Sequence, residues 1–217
     1  MSEPIVVIRA ADERTLPLCR ALLEQQVPPH RIHTVREQPF EAALHACYRL
    51  GMESGAEWMI TVDADVLPRA GAVQALLDVA LSMPPDVVQV EGLVHDRLAG
   101  GLRKAGHRAY RTSILSTALP LIPANGTTIR PEFSTLSALA ERGHRSHECQ
   151  VFFGLHDHEQ YFRDVYRTSF VHGQKHLVWL ADVVPTWRDA MSSDDDLRIA
   201  LRGFCDGVQS LQSARIE

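Results

Sequence analysis

The stretch Glu57-Trp58-Met59-Ile60-Thr61-Val62-Asp63-Ala64-Asp65-Val66-Leu67-Pro68 contains an apolar run that ends in two carboxylates. The run is rich in apolar and β-branched residues, which is typical of a buried strand. Side chains at the carboxyl end of such a strand lie at the edge where open α/β sheets bind their ligands. The stretch therefore predicts a buried strand that presents Asp63 and Asp65 to a binding cleft.

Strands and helices alternate on both sides of this stretch. Short apolar runs predict further strands at residues 5–8 and 87–90, and Ile32 and Val35, which alternate with polar neighbours, predict one at residues 31–36. Helical spacing of apolar residues predicts helices at residues 13–26 and 40–53, and Pro68 is expected to open another. This order predicts an α/β domain with an open, mostly parallel sheet flanked by helices.

The periodicity is weaker beyond Gly92. It predicts helices at residues 109–121, 131–142 and 157–170 and a strand at residues 149–153. A last helix, capped by Ser193 or Asp194, is expected to carry one apolar stripe, formed by Leu197, Leu201, Phe204, Val208 and Leu211. No linker-like segment divides the sequence, so we expect a single domain over residues 1–217.

Composition narrows the functional classes. The chain has 217 residues, of which 45% are hydrophobic and 23% charged, and its formal net charge is −5. These values exclude wholesale disorder and argue against a nucleic-acid-binding surface, which usually carries a basic excess. The four cysteines form no C-x-x-C pair, and neither a signal peptide nor a membrane-spanning segment is evident. We therefore expect a cytoplasmic protein.

The acidic pair has a direct chemical interpretation. Two carboxylates that leave a strand together suit Mg²⁺ or Mn²⁺, which prefer oxygen ligands and keep positions free for water or diphosphate. The alternative is that Asp63 caps the following turn and Asp65 is only solvated.

The sequence resembles the GT-A glycosyltransferases, especially the family 2-like group. The resemblance is carried by the first strand and helix, by Pro39-Phe40-Glu41-Ala42-Ala43 and by residues 57–68 with their Asp-x-Asp. It covers about residues 4 to 95. It implies a GT-A, Rossmann-like fold in which residues 1–95 form a nucleotide-sugar-binding half. Residues 96–217 would form an acceptor and catalytic half with a small C-terminal helical region.

The resemblance also implies roles for individual residues. Asp63 and Asp65 would bind Mn²⁺ or Mg²⁺ together with the diphosphate of a UDP- or GDP-linked sugar, and Asp63 would also lie near the ribose or donor sugar. The loop after the first strand, which includes Arg9, Ala10 and Asp12, would lie near the base and ribose. This loop lacks the Pro-x-Tyr/Phe-Asn pattern usual in the family, so the identity of the base stays open.

A second cluster of polar residues follows the predicted strand at residues 149–153. Gly154 to Gln160 includes two histidines and two acids, which are metal ligands and acid/base groups. From its position, His156 is predicted as a third metal ligand and Asp157 as the catalytic base. The alternative for Asp157 is the N-cap of the following helix.

Two basic residues are predicted to meet phosphate. Arg163 is one candidate, with a salt bridge on the helix surface as its alternative. Lys175 is the other, as a point charge beside the donor diphosphate, and it is one of only two lysines in the chain.

These features predict a metal-dependent glycosyltransferase with an unidentified acceptor. One alternative is a haloacid-dehalogenase-like phosphohydrolase, which also places Asp-x-Asp after a strand. Its usual Thr or Val two residues past the second Asp is replaced here by Leu67. The other alternative is a non-catalytic protein that binds a nucleotide sugar. The small size also suggests that a second subunit completes the site, as in a homo-oligomer.

Overall fold

A mixed sheet runs through residues 3–210, the part of the chain that the computed structural model describes. Within these residues it has eight strands, namely β1 (Ile5–Arg9), β2 (Ile32–Val35), β3 (Trp58–Asp63), β4 (Val66–Pro68), β5 (Val87–Asp96), β6 (Gly101–Arg103), β7 (His107–Arg111) and β8 (Arg145–His156). The strand order is β2-β1-β3-β7-β5-β8-β4, and β6 pairs with β5.

The sheet has one parallel group of strands on each side of β7. β1 pairs in parallel with β2 and β3, and β5 pairs in parallel with β8. β7 lies antiparallel between β3 and β5, and β4 is antiparallel to β8. A strand from the later part of the chain is therefore inserted between two strands of the earlier part.

Helices cover both faces of the sheet. They are α1 (Leu16–Glu24), α2 (Phe40–Glu53), α3 (Ala72–Ser82), α4 (Leu115–Ala118), α5 (Pro131–Ala140), α6 (Phe162–Lys175), α7 (Trp179–Asp182), α8 (Val184–Ala190) and α9 (Asp195–Ser210). No helix in the described range is both long enough and apolar enough to cross a bilayer.

Alternate side chains of β1 enter the two halves of the core, which explains why its apolar run is continuous. One face buries side chains from β1, α1 and α3, including Val6, Ile8, Leu23 and Leu76. The other face buries side chains from β1, α2 and α4, including Ile5, Val7, Leu44, Cys47 and Leu115. The predicted α/β domain with flanking helices is thus confirmed.

A third apolar cluster forms the predicted C-terminal helical region. It is built from α6 to α9 and includes Val165, Trp179, Trp187, Leu197 and Phe204. Asp194 caps α9, because its Oδ1 accepts a hydrogen bond from the Leu197 amide at 3.3 Å. Leu211, the last member of the predicted stripe, lies outside the described residues.

Three local predictions were wrong. Residues 109–111, the predicted start of a helix, belong to β7, because pairing with β3 and β5 outweighs local propensity. Pro68 belongs to β4, and α3 begins only at Ala72. The helix expected from residue 157 begins at Phe162, so Asp157 is not its N-cap.

Candidate metal centre and cleft

The ends of β4 and β8 bring three potential metal ligands together. Val66 of β4 pairs with His156, the last residue of β8, and the Asp157 amide donates a hydrogen bond to the Asp65 carbonyl at 3.2 Å. Asp65, His156 and Asp157 each offer one ligand atom, and these atoms lie within 4.8 Å of one another. We call these three residues the acidic cluster.

The acidic cluster contains two unsatisfied oxygens. His156 Nε2 lies 3.6 Å from Asp65 Oδ1, and His156 Nδ1 lies 3.2 Å from Asp157 Oδ2. Both carboxylate oxygens are buried and have no hydrogen-bond partner among residues 3–210. Buried polar atoms rarely lack partners, so these two oxygens are available to a ligand such as a cation.

The backbone at Asp157 is also unusual. Its φ of 60° lies in the left-handed region, which non-glycine residues seldom adopt. Aspartate tolerates this conformation better than most residues, and strain of this kind is often found at functional sites. The conformation accompanies a close approach of the Asp157 carboxylate to the ring of His156.

Asp96 fixes the orientation of His156. The carboxylate of Asp96 is fully buried at the end of β5, and its Oδ2 lies 2.8 Å from His156 Nδ1. The same oxygen lies 2.8 Å from Arg103 Nε, and Oδ1 accepts a hydrogen bond from the Ala99 amide at 2.7 Å. A carboxylate that holds one histidine nitrogen and leaves the other free is the usual support of a metal-bound histidine.

The pKa values in the acidic cluster reflect crowded negative charge. Burial, reinforced by Asp157 and Asp63, raises the pKa of Asp65 to about 8 although His156 opposes the shift. Burial likewise raises the pKa of Asp157. For His156, burial lowers the pKa, but Asp157, Asp65 and the bond to Asp96 outweigh it and raise the pKa to about 10.

The hydrogen bond from His156 and the charge of Arg103 have the opposite effect on Asp96. Burial opposes them, yet together they keep the pKa of Asp96 well below its ordinary value. Asp96 is thus ionised where it supports His156, whereas burial and neighbouring negative charge disfavour the ionised forms of Asp65 and Asp157. The two carboxylates supply the oxygen ligands that Mn²⁺ and Mg²⁺ prefer, the imidazole adds one nitrogen donor, and a dication would give both unsatisfied oxygens a partner.

Asp63 lies in a different environment from Asp65. Its Oδ1 accepts a hydrogen bond from Arg9 Nε at 2.6 Å, and its side chain is 30% exposed. Arg9 is buried and also donates to Glu132 Oε1 at 2.7 Å. Glu132 is shared further, since it accepts hydrogen bonds from Arg108 and from the Tyr110 hydroxyl.

Two adjoining cavities open beside these residues. The first has a volume of about 400 Å³ and is lined at the ends of β1, β2 and β3 by residues that include Arg9, Ala10, Glu37, Asp63 and Asp65. The second has a volume of about 720 Å³ and is lined by residues that include Arg103, Arg108, Arg130, Glu132 and Lys175. Pro39, Phe40 and Asp63 line both, so the cavities form one cleft.

The predicted site residues are distributed unevenly over this cleft. Arg9, Ala10, Asp63 and Asp65 line the first cavity, and Lys175 lines the second. His156 and Asp157 are buried behind Asp65 and are not among the residues that line either cavity.

Asp12 and Arg163 lie apart from both cavities. The Asp12 side chain is 75% exposed and pairs with Arg36 at 2.5 Å. Arg163 donates a hydrogen bond to the Asp12 carbonyl at 3.2 Å and lies over the ring of Tyr161. In the structure these two residues contact each other and not the cluster.

Sequence reasoning missed Asp96 and Glu132. Asp96 could have been found, because it ends an apolar strand as Asp63 does. Glu132 follows Pro131 in the first turn of α5, where an acidic residue is common for reasons of helix electrostatics alone. Its role depends on distant arginines that only the fold brings near.

Comparisons with known proteins support the fold. No protein-family model matches the chain, and no curated protein matches its sequence. Among solved structures, a mannosyltransferase from Pyrobaculum calidifontis in complex with GDP-Man and Mn²⁺ is similar, with 14% identity and a TM-score of 0.53. That match covers 98% of this chain and 75% of the mannosyltransferase.

A glucosyl-3-phosphoglycerate synthase from Mycobacterium tuberculosis, in complex with Mn²⁺, UDP and glucosyl-3-phosphoglycerate, is also similar. Its identity is 15% and its TM-score 0.51, over 84% of this chain and 80% of that one. At such identities the likeness concerns the fold. The chain therefore has a GT-A-like fold, as the sequence resemblance predicted.

Proposed function

We propose that this protein is a metal-dependent glycosyltransferase that moves a sugar from a UDP- or GDP-linked donor to an acceptor hydroxyl. One observation carries the proposal: Asp65 joins the acidic cluster, with its unsatisfied oxygens, to the cavity at the carboxyl ends of the parallel strands. Ligands of α/β sheets bind at this edge. The fold is shared with two transferases whose structures contain Mn²⁺.

The cleft divides naturally between the two substrates. The first cavity, beside Ala10 and Asp65, accommodates the nucleoside and places the diphosphate near the acidic cluster. Asp63 lies where the two cavities meet, which suits the sugar that is transferred. The second cavity is left for the acceptor.

The net transfer replaces one bond at the anomeric carbon by another. An acceptor hydroxyl oxygen forms a bond to the anomeric carbon, the bond from that carbon to the diphosphate oxygen breaks, and the hydroxyl proton passes to a general base. The nucleoside diphosphate leaves with the electron pair. A bound Mn²⁺ or Mg²⁺ supplies positive charge that stabilises the departing diphosphate.

The chain's own residues have distinct tasks in this scheme. Asp65, His156 and Asp157 hold the cation, and Asp96 orients His156. Arg9 holds the Asp63 carboxylate at the rim of the cleft. We assign Asp157 to the ligands because it lies against His156 behind the cavity wall; the predicted base role is its alternative.

Calorimetric titration with UDP-glucose and GDP-mannose, in Mn²⁺ and in EDTA, tests the proposal. One donor should bind only with Mn²⁺, and Asp65→Asn should weaken it by at least about tenfold, since a charged ligand is lost. Asp78→Asn, which changes an exposed carboxylate on α3, should bind like the wild type. Metal-independent donor binding, or unchanged affinity in Asp65→Asn, would contradict the proposal.

Donor titration combined with a turnover assay separates the two possible roles of Asp157. As a ligand, Asp157→Asn should lose donor affinity together with turnover, measured as release of UDP or GDP. Loss of turnover alone would assign Asp157 to proton transfer. Binding without turnover in the wild type would instead indicate a non-catalytic nucleotide-sugar-binding protein.

A further inference from the structure

The second cavity is lined by five cationic side chains, three of which are already paired with carboxylates. Arg103 Nε lies 2.8 Å from Asp96, and Arg108 lies 3.0 Å from Glu91 and also contacts Glu132. Lys104 forms an ion pair with Glu148. These three cations have their charge balanced within the protein.

Arg130 and Lys175 are different, because neither forms an ion pair with a carboxylate of residues 3–210. They are nevertheless close together, since Arg130 Nη2 donates a hydrogen bond to the Lys175 backbone carbonyl at 2.8 Å. Both side chains are partly buried at the cavity wall. Two neighbouring cations that are partly removed from water are unfavourable unless an anion joins them.

The surrounding titratable groups reflect this excess of positive charge. Burial, followed by Arg130 and Arg103, lowers the pKa of Lys175. Burial and the same two arginines, with Lys175, lower the pKa of His176 to about 4. A bound anion would reverse these electrostatic effects.

A buried histidine at this wall has a ring nitrogen without a hydrogen-bond partner among residues 3–210. His172 is buried and stacks on Trp179 with ring centroids 4.3 Å apart. Its Nδ1 is buried and has no hydrogen-bond partner in the described part of the chain. This histidine lines the same cavity as Arg130 and Lys175.

We propose that Arg130 and Lys175, with His172 beside them, form a subsite for a phosphate group carried by the acceptor. The phosphate group is assigned to an acceptor on the basis of the proposed glycosyl transfer. Arg130 and Lys175 line the second cavity and not the first, whereas Asp65 lines the first and not the second. The donor diphosphate belongs with Asp65, so the cation pair is left for the other substrate.

Titration with inorganic phosphate and with sn-glycerol 3-phosphate, in EDTA and without nucleotide, tests the subsite directly. The wild type should bind at least one of them, and Lys175→Gln or Arg130→Gln should weaken binding by about tenfold, as expected for a lost charge-assisted contact. Lys104→Gln is the matched control, because it removes the same charge from the same cavity at a paired position. It should weaken binding by less than about twofold.

Vesicles of phosphatidylcholine that contain a long-chain alkyl phosphate distinguish the source of the phosphate. Capture that depends on Lys175 would place the group on a lipid, whereas binding of sn-glycerol 3-phosphate alone would place it on a soluble acceptor. If neither probe nor inorganic phosphate binds, or if Lys104→Gln weakens binding as much as Lys175→Gln, the subsite is refuted.

Measuring nucleotide affinity distinguishes a failure of the phosphate subsite from a failure of the proposed function. The affinity of UDP or GDP in Mn²⁺ should be unchanged in Lys175→Gln, and a loss there equal to the loss for phosphate would assign the cation pair to the donor. Phosphate bound in EDTA by a protein that binds no nucleotide would refute the transferase and leave the anion site standing.

Discussion

At the scale of single residues, His156 connects the buried carboxylate of Asp96 to the acidic cluster. Its Nδ1 lies 2.8 Å from Asp96, and its Nε2 faces Asp65. His156 and Asp157 could be selected from the sequence as candidates, for the metal and the base respectively, because metal-binding residue types follow a predicted strand there. The Arg9–Asp63 pair could not, since it depends on the register in which β1 and β3 place these residues side by side.

Replacing Asp96 tests whether it supports a metal-bound histidine. Asp96→Asn keeps the shape of the side chain but removes the charge that holds His156 Nδ1, so Mn²⁺ affinity should fall roughly tenfold or more. Calorimetry with Mn²⁺ alone measures this on protein shown to be folded by circular dichroism. The control is Asp86→Asn, whose carboxylate pairs with Arg145 far along the sheet. Equal affinities in the two variants would remove Asp96 from the site.

At the scale of elements, the short strand β4 explains why the acidic cluster forms. The sequence predicted a helix directly after Pro68, because proline is common at helix starts. The structure instead pairs residues 66–68 with the end of β8, which draws Asp65 towards His156. A three-residue strand has no periodicity to detect, and its partner lies about 90 residues away in the sequence.

The close contact between β4 and β8 depends on Gly154. A Cβ at this position would lie 2.1 Å from the Leu67 carbonyl oxygen, which belongs to the backbone and cannot move aside easily. Gly154→Ala should therefore lower the free energy of unfolding by about 1–3 kcal/mol, as overpacking does, and should also weaken Mn²⁺ binding.

Urea unfolding and Mn²⁺ titration of this variant measure the two effects. Gly101→Ala is the control, because a Cβ there meets nothing within 4 Å. It should change stability by less than about 0.5 kcal/mol. Stability in Gly154→Ala that matches the control would show that β4 can move away from β8 without cost.

At the scale of the whole molecule, the sequence predicted the parallel strands of the sheet better than the antiparallel strands β4 and β7. β1, β3 and the start of β5 are buried apolar runs, and helices separate the strands that were predicted, a pattern that local spacing reveals. The insertion of β7 between β3 and β5 depends on contacts between distant segments, and its five residues show no regular alternation of polar and apolar side chains that would mark a strand. Local patterns therefore located most of the predicted residues of the first cavity, while most of the second cavity required the fold.

Glu132 joins these two parts, because it binds Arg9 of β1 and both Arg108 and Tyr110 of β7 from the first turn of α5. Burial raises its pKa, but Arg108, Arg9 and Tyr110 outweigh burial and lower the pKa from 4.5 to about 2. Folding thus favours the charged form of Glu132. The resulting stabilisation is complete above pH 4.5 and is lost as the pH falls towards 2.

Glu132→Gln should consequently be less stable near neutral pH by about 3–5 kcal/mol, because Arg9, which is buried, and Arg108, which is partly buried, each lose one of their two charged partners. As the pH falls from 4.5 to about 2, the free energy of unfolding of the wild type should approach that of the variant. The wild type loses on the order of 3 kcal/mol when Glu132 is protonated, and the variant has no carboxylate to protonate. Urea unfolding across this range measures both curves. Glu24→Gln, an exposed change on α1, should follow the wild type. Parallel curves for the wild type and Glu132→Gln would mean that the carboxylate does not hold the two parts of the sheet together.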